Sequence, residues 1–516
     1  MSAPHRRGAC PGLTVPMQTG DGLLVRLASL GATIGLDAAA GLCAAARRHG
    51  NGIIEITARG SIQIRGLTPA SAPDFAEAMA ALDIAAADGV SILVDPLAGL
   101  VPEPTNAAGE LAAALHQRLG AVSLAAKLGP KVSVVIDGGS LLHLDAVRAD
   151  IRLHADGVEW QVALGGDATN AAAIGAVSAA NAVEAVLRLL ETIARHGAQA
   201  RASALISEQG SDAFRAAIAD LLIGAQCGRD SAANFSPPPC GEGLGVGVVR
   251  CGTAGQYGAT PLPTPPPREV GSTRLRHLKV SKSDKSDFDW GRESSAAPTR
   301  LNLPPRPVAD PIGPHPLRDG VALGIGLAFG HTDGNALERL TEAAKGADAR
   351  GLRTAAGRAL LVIGVAADTA PELAAAAESL GFITRRDDPR RQLVACAGAP
   401  ICASAEIPAR RLGPLISAAA PALLDGSLTV HVSGCPKGCA HPAAATLTIV
   451  GGQDGCGLVI GGSARDPASI SMATAALSKS FGRLAQEVAP GEKAADALAR
   501  LGPARIAAIL GATHYG

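Results

Sequence analysis

The sequence predicts an α+β fold of pseudo-two-fold build, a tandem duplication of one small unit and one α/β half-domain. Three observations predict it. A strand, helix, strand, strand and helix follow one another near the N-terminus, and the same order returns about three hundred residues later. The letters repeat as well, with Ile56-Thr-Ala-Arg-Gly-Ser-Ile-Gln-Ile-Arg-Gly66 set against Arg353-Thr-Ala-Ala-Gly-Arg-Ala-Leu-Leu-Val-Ile-Gly364. Farther on, Gly157 to Gly166 (Gly-Val-Glu-Trp-Gln-Val-Ala-Leu-Gly-Gly) matches Gly455 to Gly462 (Gly-Cys-Gly-Leu-Val-Ile-Gly-Gly) at a similar offset.

In the first copy, Gly22 to Leu30 reads as a strand and Leu36 to Arg48 as an amphipathic helix. Gly52 to Leu67 reads as two strands around a turn at Gly60, and Pro73 to Leu82 as a second helix. This order is most of a ferredoxin-like unit. In the second copy the strand is Leu323 to Phe329, the helix Asn335 to Ala344, the strand pair Gly351 to Val365, and the last helix Pro371 to Leu380, ending at Gly381. The organisation is a ferredoxin-like unit over 10–85, an α/β half-domain over 86–227, a second ferredoxin-like unit over 306–385 and a second half-domain over 386–516. Between the copies, 228–305 differs in kind. Ser236-Pro-Pro-Pro-Cys-Gly-Glu-Gly and Thr260-Pro-Leu-Pro-Thr-Pro-Pro-Pro are low in complexity and a polar run follows, so this insert is expected to be disordered.

Lys and Arg number 46, as do Asp and Glu, so no global field argues for nucleic acid. An anion must be held by local arginines and lysines. Aromatics are 2% of residues against 62 glycines, which predicts small side chains and closely packed elements. Met1-Ser-Ala-Pro-His-Arg-Arg carries charge with no apolar run behind it, and no uncharged span reaches membrane length, so a cytoplasmic protein with reduced thiols is expected.

Four of the ten cysteines form two close pairs, Cys396 with Cys402 and Cys435 with Cys439, with five and three residues inside the pairs and thirty-two between them. Thiolates from two loops beside Gly398, Gly434 and Gly438 suit a 4Fe-4S cluster, because small residues let the backbone approach inorganic sulfide. Structural zinc is the rival, although zinc pairs usually enclose two to four residues. Four ordinary buried cysteines are the plainest alternative. Residues two apart on a strand share a face, so Arg59, Ser61, Gln63 and Arg65 would form one polar row, against the alternative of a solvated strand face. The histidines His154 and His431 read as satisfied structural residues, and no Gly-rich dinucleotide fingerprint lies between a strand and a helix.

Val432-Ser-Gly-Cys-Pro-Lys-Gly-Cys-Ala-His-Pro442, preceded by Ala395-Cys-Ala-Gly-Ala-Pro-Ile-Cys-Ala-Ser-Ala405, resembles the cluster signature of the siroheme-dependent sulfite and nitrite reductases. The resemblance covers nearly the whole chain outside 228–305 and implies a sulfite/nitrite reductase-like fold with cofactor-binding half-domains. It also implies that Cys396, Cys402, Cys435 and Cys439 hold the cluster, with Cys439 as a possible bridge to a siroheme iron. Thr57, Arg59 and Gln63 match a Thr-x-Arg-x-x-x-Gln pattern that faces a tetrapyrrole in that family, with Arg65 following. Lys437, inside the cluster loop, joins them as a candidate carboxylate binder. In Leu128-Gly-Pro-Lys-Val-Ser-Val-Val-Ile-Asp137, Lys131 matches the first of two anion-binding lysines, but Ser133 stands at the second. That loss argues against a reductase.

The run Arg7-Gly-Ala-Cys-Pro-Gly-Leu-Thr-Val-Pro-Met-Gln-Thr-Gly-Asp-Gly-Leu-Leu-Val-Arg-Leu27, with Asp95-Pro-Leu-Ala-Gly99 and Ser133, resembles the precorrin-3B synthase family of aerobic cobalamin biosynthesis. The resemblance implies an oxygen-dependent monooxygenase that hydroxylates precorrin-3A and closes a lactone. Its cofactors would be the 4Fe-4S cluster and a mononuclear non-haem iron, whose ligands the sequence does not name. NADH would be the indirect donor, acting through a reductase or ferredoxin. A siroheme-dependent sulfite or nitrite reductase and a non-catalytic tetrapyrrole-binding protein are the alternative functions, and no catalytic residue is assigned.

Overall fold

The computed structural model describes residues 11–511 apart from 30, 32, 85–88, 102–105, 122–123 and 225–305. The expectation of a disordered insert over 228–305 therefore lies outside the described residues. The rest belongs to one compact unit.

The first copy opens with β1 (Met17–Thr19) and β2 (Gly22–Ser29), then α1 (Leu36–His49), β3 (Ile53–Ile56), β4 (Ser61–Leu67) and α2 (Ser71–Ala81). Helix α1 begins with Asp37 and ends with Arg47, Arg48 and His49, charges that complement the helix dipole, and it buries Leu36, Ala39, Leu42, Cys43 and Ala46. The half-domain follows as β5 (Ser91–Val94), α3 (Asn106–Ala121), β6 (Ser133–Asp137), β7 (Ala149–Asp156), β8 (Glu159–Gly166), β9 (Ala172–Ser178), α4 (Ala179–Arg195), α5 (Ala202–Gln209) and α6 (Asp212–Ala217).

The second copy repeats the plan with β10 (Gly313–Pro316), β11 (Val321–Gly326), β12 (His331–Asp333), α7 (Gly334–Gly346), β13 (Gly351–Ala355), β14 (Ala359–Val365) and α8 (Ala370–Ser379). Its half-domain comprises β15 (Leu393–Ala395), α9 (Ala409–Ala419), β16 (Val430–Ser433), β17 (Ala445–Gly452), β18 (Gly455–Gly462), β19 (Ile470–Met472), α10 (Leu477–Gln486) and α11 (Ala494–Gly511). The predicted core elements are all present. The short strands β1, β10 and β12 are additions, and the strand expected to run to Phe329 stops at Gly326.

The half-domain sheets have one topology. In the orders β5-β6-β7-β8-β9 and β15-β16-β17-β18-β19, the first three strands are parallel and the last two antiparallel. The matched segments Gly157–Gly166 and Gly455–Gly462 hold β8 and β18, the fourth strands of these sheets. The ferredoxin-like sheets are β1-β2-β4-β3-β12 and β10-β11-β14-β13, and they are interlocked. Strand β12 of the second copy adds antiparallel to β3 of the first, pairing His331 with Glu55 and Asp333 with Ile53. In return Ile34 exchanges backbone hydrogen bonds of 3.0 and 2.9 Å with Leu352 on β13. Helices α1 and α7 lie at the seam, where Gly334 keeps the approach close: a Cβ there would sit 3.1 Å from the Cys43 carbonyl. One apolar core, with Leu42, Ile54, Phe75, Leu337, Leu352 and Phe382 among its members, spans both copies.

Candidate functional site

The cysteine loops leave the carboxyl ends of parallel strands, where α/β sheets open their crevices. Cys396 follows β15 and Cys435 lies two residues past β16. The first loop turns through a cis Ala399–Pro400 bond, and the Gly398 carbonyl accepts from the Cys402 N–H at 2.8 Å. The second loop clamps it, since Glu406 N–H donates to the Gly434 carbonyl at 2.8 Å and Gly434 N–H donates to Cys396 Sγ at 3.1 Å. Two glycines are obligatory here. Gly398 has φ +68° and a Cβ on it would meet the Ala409 nitrogen at 2.2 Å, while a Cβ on Gly434 would meet that of Ala405 at 2.6 Å. The β1–β2 turn covers the loop from outside, with Gly20 N–H donating to the Ile401 carbonyl at 2.8 Å.

The four thiols share one electrostatic neighbourhood. Burial raises the Cys396 pKa, Gly434 and Gly398 N–H groups oppose it, and Cys402 and Cys435 raise it further. Burial also raises that of Cys439, reinforced by Cys435 and Cys402 and opposed by Lys437 and Arg465. Among the described residues no three of these sulfurs lie within 4.8 Å of one another. A tetrahedral zinc with bonds of about 2.3 Å would need them about 3.8 Å apart, so the wider array, with a thiolate-directed N–H, fits an iron–sulfur cluster better. Cys43 and Cys456 are instead packed thiols, pushed by burial up to about 12 and about 11.

The first copy carries a thiol-free version of the same crossing. Asp95 N–H donates to the Ile136 carbonyl just as Cys396 N–H donates to Val432, so Asp95 stands where the second copy has Cys396. Its carboxylate accepts from the N–H groups of Leu97 and Ser140 and from Ser140 Oγ at 2.5 Å, closing the two loops with hydrogen bonds.

The basic candidates divide. Arg59 lies in the β3–β4 turn, exposed, with Nη2 donating to the Arg148 carbonyl at 2.8 Å and Nη1 at 3.5 Å from Ser133 Oγ. Ser133 is fully buried and Lys131, two residues earlier, is exposed. Gln63 sits on the half-buried face of β4. Arg65 departs from the expected outward row. It lies within a register shift against β2, between the Val25–Ile64 and Leu23–Leu67 pairs, its side chain is 7% exposed, and it pairs with Asp21 at 3.3 Å and Glu55 at 3.7 Å. Glu55 is also held by Arg410 on α9, which ties this network to the cysteine loops. Lys437 donates to Ser404 Oγ at 2.6 Å and lines a cleft of about 530 Å³ with Ser404, Cys435, Pro436 and Arg465. Arg465 escaped the sequence reading, because nothing in Ser463-Ala-Arg-Asp466 marks it until the loop is folded against Cys435.

The histidines depart from expectation in another way. His154 and His431 are buried, yet His154 Nδ1 and both ring nitrogens of His431 lack hydrogen-bond partners among the described residues. Asp137, His143 and Asp145 bring ligand atoms within 4.8 Å of one another, but Arg306 already bridges both carboxylates.

Residues 15–82 match the model of the nitrite/sulfite reductase ferredoxin-like half domain. A curated relative described as precorrin-3B synthase, from Sinorhizobium sp, is 35% identical over 515 residues, covering 98% of this chain and 95% of its own. A sulfite reductase (ferredoxin) 2 from Mycolicibacterium paratuberculosis is 29% identical over 158 residues, 28% of each chain. The solved NirA protein of Mycobacterium tuberculosis shares the fold with a TM-score of 0.62 at 17% identity, over 94% of this chain and 84% of that one.

Proposed function

The chain belongs to the precorrin-3B synthase family, and from that premise we propose that it hydroxylates precorrin-3A with dioxygen and closes the lactone, an acidic tetrapyrrole being its substrate. The observation that carries the proposal is the placing of basic groups beside the cysteine loops: Lys437 and Arg465 share a cleft with Cys435. Carboxylates on the macrocycle rim suit ammonium and guanidinium donors, the latter able to bind both oxygens at once. Arg59 and Gln63 in the first copy are the remaining candidates for holding the macrocycle, with Lys131 as an outer cation. Arg65 serves the fold.

Cys396, Cys402, Cys435 and Cys439 would hold the 4Fe-4S cluster, which supplies one-electron transfer when bound. The Gly434 N–H steadies Cys396 Sγ, and Gly398 and Gly434 let the loops close without side chains between them. Activation of dioxygen requires a further iron, for which the described residues offer no vacant ligand set beyond the Arg306-bound carboxylates. NADH would act through a separate electron carrier.

Ser133 also bears on the reductase alternative. A buried hydroxyl beside Arg59 supplies neither the charge nor the proton of a second lysine to a small bound anion. The decisive experiment is anaerobic incubation with precorrin-3A and reductant, then admission of labelled dioxygen and mass spectrometry. One labelled oxygen in the product supports the proposal; a protein carrying siroheme bands that reduces sulfite rapidly refutes it.

A further inference from the structure

Each copy carries an arginine three residues past its second core strand, in a hairpin turn. Arg59 follows β3, which ends at Ile56, and Arg358 follows β13, which ends at Ala355. The two turns touch, with Gly357 N–H donating to the Ala58 carbonyl at 2.9 Å. Arg59 reaches into the first half-domain. Arg358 reaches into the second, where its Nη2 donates at 2.9 Å to the carbonyl of Ala440, the residue after Cys439.

Arg358 is held there against its backbone preference. Its φ is +64°, in the left-handed region that residues with a side chain rarely occupy, and its stem packs on Gly330, where a Cβ would meet Arg358 Cδ at 2.7 Å. Among the described residues no charged group acts on it, and burial alone lowers its pKa. The buried His431 lies with its ring centroid 5.6 Å from that of His441, and the charges acting on His431 are those of His441 and Arg358. Arg358 is half-buried, and a cation that gives up part of its solvation without a counter-charge is disfavoured, so something anionic should complete this corner. The cysteine loop that Arg358 grips is the candidate, because four thiolates around a cluster carry net negative charge.

We propose that Arg358 is a counter-charge of the iron–sulfur cluster, additional to Lys437 and Arg465, fixed to the Cys439 loop through Ala440 and raising the cluster's affinity for an electron. The inference rests on the cluster reading above and adds to it a residue outside the four cysteines. A cation close to a cluster stabilises its reduced form, and net charge is one determinant of cluster potential.

The test is a redox titration of the purified full-length protein followed by electron paramagnetic resonance of the reduced cluster, with iron and sulfide measured on each sample. Arg358→Gln should retain the iron and bind the electron at least tenfold more weakly, a downward shift of about 59 mV for a one-electron couple. Arg358→Lys keeps the charge and should recover most of that loss. If Arg358→Gln leaves the potential where it was, or if Arg358→Lys falls as far as Arg358→Gln, the counter-charge role is overturned. Should Arg358→Gln fail to hold iron, His441→Asp brings the missing carboxylate to the same corner from a half-exposed position; an unchanged potential there overturns the proposal equally. Wild-type protein without iron, sulfide or a reduced-cluster signal would instead sink the cluster reading itself.

Discussion

At the scale of single residues, arginines of similar sequence context have been given different tasks. Arg65 holds two carboxylates inside the fold, so Arg65→Met should leave Glu55 to Arg410 and Asp21 to Asn51 and Thr19, and cost about 1–3 kcal/mol, read as a fall in the denaturant midpoint. Arg59 is exposed at a turn, and Arg59→Ala should cost about 1 kcal/mol or less in the same assay while weakening tetrapyrrole binding. Loss of Arg59 that unfolds the protein would reverse the assignment. Among the thiols, Cys435→Ser should abolish most iron and acid-labile sulfide, whereas Cys456→Ser should leave both, since Cys456 is a packed thiol. The histidine His331 gives the pH dependence a sign. Burial and Arg410 hold its pKa down to about 4 against an ordinary 6.5. The unfolded chain therefore binds the extra proton first, and stability should drop as pH falls from 6.5 toward 4. Thermal melts across that window should show a shallower slope for His331→Phe. Of these proposed roles, cluster ligation is the one suggested by cysteine spacing and adjacent glycines. The fate of Arg65 was not legible, because a strand's alternation places a side chain on a face without telling which acids wait there.

At the scale of elements, the longer strands and helices could be read from periodicity, while β1, β10 and β12 could not. Three or four residues carry too little alternation to count, and β12 exists only because a distant edge accepts it. The equivalence of Arg59 and Arg358 was hidden for a related reason. Aligning the glycines of the two turns puts Arg358 opposite Ser61, and only the strand ends, with turns of four and three residues, restore the correct register. The β1–β2 turn illustrates what such small elements do. A Cβ on Gly20 would lie 2.4 Å from the Pro400 carbonyl oxygen, so Gly20→Ala must push the first cysteine loop outward. The expected result is faster loss of iron to a chelator with little change in overall melting; unchanged chelation kinetics would show that the turn is only a lid in appearance.

At the scale of the whole molecule, the duplication was visible in the letters, but its interlocking was not. Two repeats lying side by side would have given the same sequence pattern as two that share a core. Because Leu42 and Ile54 pack in one cluster with Leu337 and Leu352, neither copy owns a complete interior. A fragment of residues 306–511 should therefore fail to unfold cooperatively and should expose the apolar face of α7, detectable as dye binding, until 11–224 is supplied. A sharp two-state melt of the isolated fragment would contradict this.

The exchange of edges between the ferredoxin-like sheets also imposes a timetable on synthesis. The edge of β3 is capped by β12, whose first residue lies 278 positions downstream (331 minus 53). At elongation rates of about 5–20 residues per second, the nascent first copy carries an open strand edge for on the order of tens of seconds before its partner leaves the ribosome. Such distant pairing raises contact order and slows folding. The geometry that lets one interior serve two copies thus makes the first half of the chain a waiting intermediate, exposed to mispairing with its neighbours on the same message, and places the final closure of the fold after most of translation is done.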